Sequence, residues 1–435
     1  MKEKKKRGKK GLIVFLCILL ILGGLGLVWS RFGGFGTGKS ADPAEFAAYA
    51  GSIEDMEIPE GTKIIALGEA THGNREFQQL KKDVFEQMVE KYNVRSFALE
   101  GDFGGCEYVN RYIHTGEGTA AEAAAAIGFA IYRTKEMADL IEWMRTYNED
   151  APEGEDLRFY GFDMQRTSYT FRYLLEAAGN LGLDTAALEA LRDGEDISSS
   201  ASREEKTGIY RDLREKLEEM GEGKETDAEK VFALHLTDCL LQNEELFRAY
   251  EEVPTESNGI RDSFMAENAL WILEREKERG NDTVFLAGHN GHMEQYGTYQ
   301  GGQDKVMGNL LADRIGEENY YVIGTDFYKS TVNMSRSTGG RMTRTFYSAD
   351  PLAKAASKKG MDLCWLDFGK VPGDSVLRQD IDGYIFMGSL GEVPGDGANG
   401  IVYSLLPRAY RIWQSPAELF DGMIFVREAH PTEIE

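Results

Sequence analysis

The sequence predicts an α/β fold in which a mostly parallel sheet is flanked by helices and carries an inserted helical cap. Short apolar runs that end in glycine alternate with amphipathic helical patterns along most of the 435 residues, and this alternation is typical of a parallel sheet. A charged helical stretch, about residues 171–255, interrupts the alternation and predicts the insertion. It either covers the strand ends or packs beside the sheet, and the sequence favours neither arrangement.

The N-terminal residues predict one transmembrane helix before this fold. Residues 1–10 hold seven Lys or Arg and one Glu, and residues 11–29 carry no charge and are mainly Leu, Ile, Val and Gly. About 20 apolar residues span a bilayer core, and a basic cluster before them stays in the cytoplasm. We therefore expect a single-pass cell-membrane protein with a cytoplasmic N-terminus and an extracytoplasmic catalytic domain. The alternative is a cleaved secretory signal, but no small-x-small cleavage site follows Trp29.

The composition of the rest of the chain indicates where the domain lies and which partners its charge favours. Residues 30–45 are rich in glycine and predict a flexible tether, and residues 46–430 form the predicted α/β domain. The net charge of −24 disfavours nucleic acid and favours neutral or cationic partners. Four cysteines at wide spacing indicate neither a disulfide framework nor a zinc site.

The predicted elements follow one another in the order that an α/β sheet requires. Amphipathic spacing of apolar residues predicts helices at about 76–92, 134–147 and 262–279. Short apolar runs predict strands at 63–67, 95–99, 157–160, 283–287 and 320–323, with further strand signals at 383–387 and 423–426.

Polar residues follow five of these strands, where open α/β sheets bind their ligands. A single acidic residue after a strand is commonly a helix N-cap or a turn residue, and this is the preferred interpretation of Asp163 and Asp326 taken singly. Histidine in a turn bounded by glycine is poorly explained by packing, and two such turns are present. The predicted active site comprises Glu69, His72, Glu100, His289 and His292.

Two chemistries fit this set of residues. In the first, a histidine deprotonates water, a carboxylate orients that histidine, and the other histidines donate hydrogen bonds to an oxyanion. In the second, Glu69, His72, His289 and His292 hold a divalent metal that activates the water. No Gly-x-Ser-x-Gly motif is present, so a serine nucleophile has no support.

These motifs, in this order, resemble the erythromycin esterase family, and the similarity extends from about residue 60 to 428. The N-terminal matches are Gly68-Glu69-Ala70-Thr71-His72-Gly73, Glu76-Phe77, Phe97-Ala98-Leu99-Glu100 and Asn110-Arg111-Tyr112. The later ones are Trp143-Met144-Arg145-Thr146-Tyr147-Asn148, Gly161-Phe162-Asp163-Met164-Gln165, Arg261-Asp262, Met265-Ala266-Glu267-Asn268, Trp271, His289-Asn290-Gly291-His292 and Phe420-Asp421-Gly422.

The resemblance implies an α/β core with a helical cap and hydrolysis of a cyclic ester by water. It implies that His72 is the base, that Glu100 supports it, and that Glu69, His289 and His292 complete the pocket. Lys81 stands where the family has an arginine; lysine keeps the charge but lacks the planar fork. We assign Lys81 and Asp163 to substrate binding.

We expect a small ester or lactone as substrate and no required cofactor, with a divalent metal as an open possibility. The competing interpretations are a metal-dependent hydrolase of another substrate class and an extracytoplasmic binding protein without catalysis.

Overall fold

A mostly parallel sheet forms the centre of the chain in this computed structural model, which describes residues 2–31, 39–194, 196–198, 200–221, 227–297 and 305–434. The strands are β1 (Ile64–Glu69), β2 (Ser96–Asp102), β3 (Arg158–Asp163), β4 (Arg192–Asp193), β5 (Asp196–Ile197), β6 (Val284–His289), β7 (Tyr320–Ser335), β8 (Arg341–Tyr347), β9 (Leu363–Asp367), β10 (Ile385–Gly388), β11 (Arg411–Gln414) and β12 (Gly422–Ala429).

The strand order in the main sheet is β3-β2-β6-β1-β7-β12-β9. Strands β1 and β6 pair in parallel at its centre, and β2, β3, β7 and β12 extend the parallel arrangement to both sides. Strand β9 pairs antiparallel with β12, and β8 pairs antiparallel with β7. The predicted mostly parallel sheet is therefore confirmed.

Helices pack against both faces of this sheet. The α-helices of the described residues, including those that pack elsewhere, are α1 (Lys2–Arg31), α2 (Pro43–Tyr49), α3 (Arg75–Tyr92), α4 (Phe103–Thr115), α5 (Ala120–Ala126), α6 (Lys135–Asp150), α7 (Ser168–Asn180), α8 (Ala186–Leu191), α9 (Arg203–Glu219), α10 (Asp227–Glu252), α11 (Ser257–Glu278), α12 (Asn290–Met293), α13 (Met307–Ile315), α14 (Pro351–Lys358), α15 (Val376–Asp382), α16 (Gly397–Leu405) and α17 (Pro416–Leu419).

The alternation of side chains along each central strand gives the sheet two buried faces. In β1, Ile65 and Leu67 enter one hydrophobic core, while Ile64 and Ala66 enter the core on the other side. Successive side chains of a strand point to opposite faces, so a strand that is apolar at every position needs a helical layer on each side. This requirement explains the unbroken apolar runs in the sequence.

Helix α3 shows how the amphipathic pattern becomes a layer of the fold. Its apolar side chains recur at three-to-four spacing and are all buried, and the helix ends at Asn93, which adopts the left-handed conformation with φ 56°. Asparagine tolerates this conformation better than most residues. The buried side chains that face the sheet include Phe77, Leu80, Val84, Phe85 and Met88.

The charged stretch at 171–255 forms helices with a core of their own. Apolar side chains of α7, α9 and α10 pack together there, and Asn243 of α10 donates a hydrogen bond to the carbonyl oxygen of Met164, just after β3. The buried residues of this core include Leu174, Tyr210, Leu213, Leu236 and Leu240.

The predicted transmembrane helix is wrong. A bilayer crossing needs about 20 consecutive apolar residues in one helix. Across the described part of the chain, no helix has both the length and the apolar character for such a crossing. The predicted single-pass membrane location, with its cytoplasmic N-terminus and extracytoplasmic domain, depended on that helix and is corrected with it. Of the predicted tether at 30–45, residues 32–38 lie outside the described residues, and α2 begins at Pro43.

We predict that Phe97→Ala lowers the free energy of unfolding by about 3–5 kcal/mol, because it leaves a cavity in a close-packed core. Phe97 is fully buried, and its ring centroid lies 5.2 Å from those of Phe85 and Phe159 and 5.7 Å from that of Phe285. Urea unfolding followed by circular dichroism measures the change. Phe247→Ala is the matched control, since Phe247 is 43% exposed. Equal losses in the two variants would contradict the assigned core.

Candidate active site

The parallel register brings residues that are distant in sequence to one edge of the sheet. Glu69, at the end of β1, is directly paired with His289, at the end of β6, and Glu100 follows Leu99, which pairs with Ala287. A cavity of about 700 Å³ opens at this edge. The polar residues on its wall include His72, Glu100, Asp163, Arg261, His289 and His292.

Glu69 orients His72 from beneath the cavity. Its Oε1 lies 2.7 Å from Nδ1 of His72, and its Oε2 accepts hydrogen bonds from the ammonium group of Lys81 and, at 3.4 Å, from Gln78. Gln78 also donates to the backbone carbonyl of His72 at 3.1 Å. The Nδ1 atom of His72 is thereby engaged below, and the ring lies on the cavity wall.

This ion-pair cluster determines the protonation of its members. Burial acts to raise the pKa of Glu69, but the charge of Lys81 and the contact with His72 hold it below its ordinary value. Burial acts to lower the pKa of His72, but the hydrogen bond and charge of Glu69, together with the charge of Glu100, raise it above 6.5. His72 is therefore a stronger base than an isolated histidine.

Glu100 and Asp163 share one cation. Nη2 of Arg261 lies 2.9 Å from Oε1 of Glu100 and 2.5 Å from Oδ2 of Asp163. Burial acts to raise the pKa of Glu100, but His292, Arg261 and His72 lower it well below its ordinary value. Glu100 is therefore charged and compensated at neutral pH.

His289 differs from His72 in its protonation and in its partners. Its backbone N–H donates to Oε2 of Glu100 at 2.8 Å, and its ring Nδ1 accepts from the N–H of Gly291 at 3.1 Å. Burial, followed by the charge of His72, lowers the pKa of His289 to about 3. The ring is therefore neutral and carries its proton on Nε2, since Nδ1 is an acceptor. This Nε2 is buried and has no hydrogen-bond partner among the described residues.

Glycine at position 288 allows Glu100 to reach β6. A Cβ atom at Gly288 would lie 2.8 Å from Oε2 and 2.9 Å from Cβ of Glu100, which is closer than real Cβ contacts. The absent side chain therefore permits the hydrogen bond between Glu100 and the backbone of His289.

His292 forms the third imidazole of the site and is held by α11. Its Nδ1 lies 2.7 Å from Oδ1 of Asp262, and its Nε2 lies 3.0 Å from Nη1 of Arg261 and 3.4 Å from Oε1 of Glu100. Burial acts to lower the pKa of His292, but the negative charges of Asp262 and Glu100 raise it. The site thus contains a neutral histidine, His289, between two histidines of raised pKa.

The arrangement does not fit a metal ion. Within the described ranges, no group of three or more His, Cys, Asp or Glu side chains is arranged as a metal site. Glu69, one of the four predicted metal ligands, already binds His72 and Lys81 with its two oxygens, and Nδ1 of His289 accepts from Gly291. The two oxygens of Glu69 and Nδ1 of His289 are therefore used for contacts within the protein.

The structure brings the five predicted catalytic residues together, whereas the two predicted substrate-binding residues differ in position. Asp163 lies on the cavity wall and binds Arg261. Lys81 is 1% exposed, is not a wall residue, and contacts Glu69 and Gln78 below the cavity. Direct contact between Lys81 and a substrate therefore has no support in this arrangement.

The predicted site did not include Arg261 and Asp262, which contact His292 in the structure. Both occur in a motif that carried the family resemblance, but Asp262 begins a predicted helix and Arg261 precedes it, so neither follows a strand. In the structure both belong to α11, which packs against β3 and β6. Asp326, in contrast, follows a predicted strand but binds Ser348 and the N–H of Gly388 away from the cavity wall.

The cavity wall is completed by segments outside the helical insertion. Besides the strand ends, Arg261 and His292, its described residues come from 129–131, 165–166, 389–392 and 409–412. Among the described residues of 171–255, none lines it. The insertion packs beside the sheet, against α4 and α11.

We predict that Lys81→Met destabilises the fold by about 3–5 kcal/mol, because it leaves the buried carboxylate of Glu69 without its cation. The matched control is Lys82→Met on the same helix, since Lys82 is partly exposed and pairs with Glu86 at 3.3 Å. That change should cost less than about 1 kcal/mol. Urea unfolding at pH 7 measures both. Similar losses would contradict the assignment of Lys81 as the cation that compensates Glu69.

The family model described as erythromycin esterase matches residues 89–429. Erythromycin esterase type II of Escherichia coli is 23% identical over 309 residues, which are 61% of this chain and 69% of that protein. The putative hydrolase YbfO of Bacillus subtilis (strain 168) is 24% identical over 301 residues, 61% of this chain and 65% of that protein.

Solved structures share the fold. A Bacillus cereus protein is 21% identical, with a TM-score of 0.73 over 91% of this chain and 99% of that one. A succinoglycan biosynthesis protein is 18% identical, with a TM-score of 0.73 over 90% and 98%. A mutant of the erythromycin esterase EreC in its open conformation is 15% identical, with a TM-score of 0.58 over 86% and 93%. The family model covers most of the chain, and the protein therefore belongs to the erythromycin esterase family.

Proposed function

We propose that this protein hydrolyses an ester or lactone with a water molecule that His72 activates. Membership of the erythromycin esterase family indicates an esterase or a related hydrolase. The observation that carries the mechanism is the pairing of two unlike histidines, whose ring centroids lie 5.0 Å apart on the cavity wall. His72 is a base held by Glu69, and His289 is neutral with a proton on Nε2.

His72 acts as the general base. Because Nδ1 of His72 is bound to Glu69, Nε2 of the neutral ring carries the lone pair that accepts a proton from water. The carboxylate of Glu69 stabilises the imidazolium that forms. Lys81 and Gln78 are positioning residues, since they bind Glu69 and do not reach the wall.

His289 stabilises the oxyanion. The water oxygen bonds to the carbonyl carbon of the substrate, its proton moves to His72, and the carbonyl oxygen becomes negative. The Nε2–H of His289 donates to that oxygen, and its buried position makes this hydrogen bond strong. As the carbon–oxygen ester bond breaks, the leaving oxygen takes the proton from His72. The products are an acid and an alcohol, joined in one molecule if the substrate is a lactone.

Glu100 acts to raise the pKa of both histidines, His72 and His289. It accepts the backbone N–H of His289 and lies beside Arg261 and His292, so it is ionised and raises the pKa of His72. The matched relatives support hydrolysis, since one is named an erythromycin esterase and the other a putative hydrolase. An ester or lactone is therefore the proposed substrate class.

We expect His72→Ala to lower kcat by about 10²–10⁴-fold on any ester that the wild type cleaves, because general-base catalysis contributes about that much. His289→Ala should lower kcat by about 10²–10³-fold through loss of an oxyanion donor. Mass spectrometry of a panel of esters and lactones detects the gain of one water. His430→Ala is the control, since His430 is exposed and pairs with Glu76.

The same panel separates the competing interpretations. Turnover that His72→Ala does not reduce would contradict the base assignment. Loss of turnover after chelation, with recovery on adding a divalent metal, would indicate the metal-dependent mechanism. No mass gain across the whole panel, with binding retained, would favour a binding protein.

We expect kcat/KM to rise with pH and to level off above a pKa that lies higher than 6.5. The reason is that the base must be unprotonated, and the pKa of His72 is raised by Glu69 and Glu100 despite burial. His289, whose pKa is about 3, stays neutral across this range and causes no second change in kcat/KM. In Glu69→Gln the rise in kcat/KM should occur at lower pH, since the charge that raises the pKa of His72 is lost. An unchanged pH dependence of kcat/KM in Glu69→Gln would contradict the pairing of Glu69 with His72.

A further inference from the structure

The cavity wall carries as many arginines as carboxylates, whereas carboxylates outnumber Lys and Arg in the chain as a whole. The carboxylates of the wall are compensated: Glu100 and Asp163 share Arg261, and Glu392 forms an ion pair with Arg341. Two further wall residues, Arg166 and Arg411, add positive charge. The acidic groups that give the protein its net charge of −24 lie mainly elsewhere.

Arg166 is the most available of these cations. It lies in the loop between β3 and α7, it is exposed, and its guanidinium stands 5.6 Å above the ring centre of Phe129, another wall residue. Among the residues that the structure describes, it forms no ion pair with a carboxylate. A solvent-accessible guanidinium on an aromatic ring keeps its planar set of donors ready for a ligand.

Arg411 is a second cation, and it is buried. It begins β11, is 7% exposed, and donates from Nε and Nη2 to the backbone carbonyl of Tyr347 at 3.2 and 2.6 Å. Its guanidinium also lies 5.0 Å from the ring centre of Tyr410. The charge of Asp326 also acts on this guanidinium, so Arg411 is a partly compensated cation that is secondary to Arg166 in the wall.

We infer that the substrate carries a carboxylate besides the ester or lactone group, and that Arg166 binds this carboxylate with Arg411 strengthening the local positive potential. The inference rests on the proposed function and narrows its substrate class. The planar fork of arginine matches a carboxylate with two parallel hydrogen bonds. The net negative charge of the chain does not oppose this, because salt screens exposed charges beyond about 8–10 Å.

Three chromogenic esters of equal chain length test the inference. They are the 4-nitrophenyl monoester of adipic acid, which is anionic, its neutral methyl diester, and the cationic ester in which trimethylammonium replaces the carboxylate. The wild type should favour the anionic ester. In Arg166→Ala the KM for that ester should rise about tenfold, as expected for a lost charged hydrogen bond, with kcat little changed. Arg166→Lys should restore part of the difference.

The control variant is Arg211→Ala, which removes the same charge from an exposed arginine of α9 that does not line this cavity. It should leave the ratio of kcat/KM between the anionic and neutral esters unchanged. That ratio should also fall in the wild type as salt is added. Equal use of the three esters, or a preference that Arg166→Ala leaves intact, would overturn the inference while hydrolysis stands.

A binding experiment decides the case in which none of the three esters is cleaved. Calorimetry compares the anionic monomethylamide of adipic acid with its neutral bis-methylamide. Stronger binding of the anionic amide that Arg166→Ala weakens about tenfold would support the carboxylate site, although the proposed hydrolysis would then have failed for this class of ester. Equal or absent binding of the two amides would overturn the inference.

Discussion

Charge compensation of buried carboxylates at the strand ends is the constraint on which the rest of the site depends. Glu69 and Glu100 are almost fully buried, and an uncompensated carboxylate there would take up a proton or destabilise the fold. Each therefore lies beside a cation and a histidine of raised pKa: Lys81 and His72 at Glu69, and Arg261 and His292 at Glu100. These contacts bind together elements from four parts of the chain.

The same compensation differentiates three histidines that are equivalent by composition. His72 and His292 each face a carboxylate through Nδ1, and their pKa values rise. His289 accepts a backbone N–H at that atom instead, so burial prevails and its pKa falls to about 3. A histidine of raised pKa and a neutral histidine thus lie side by side, which is the combination that the proposed hydrolysis uses.

Much of the fold could be predicted because its signals are local. The alternation of strands and helices is recognised from the spacing of apolar residues within about 20 positions. The observed sheet is built from the strands that this spacing predicts. The residues Glu69, His72 and His289 could be found because each ends a strand or lies in the short turn after one. Arg261 and Asp262 could not, since their importance arises from the packing of α11 against the sheet. The N-terminal segment shows the converse: its composition indicated a membrane crossing that the described helices do not provide.

By itself, the sequence determined the α/β class, the family and the identity of five residues at or near the strand ends. The reason is that the spacing of apolar residues and the short motifs both involve residues that are close together in the chain. Only the tertiary structure decided the partners of those residues. It placed Lys81 beneath Glu69 and outside the cavity wall, it separated the protonation of His289 from that of His72, and it gave the cavity arginines in a chain of net negative charge. The physical reason is that pKa values and local potentials depend on distances of a few ångströms between atoms far apart in sequence.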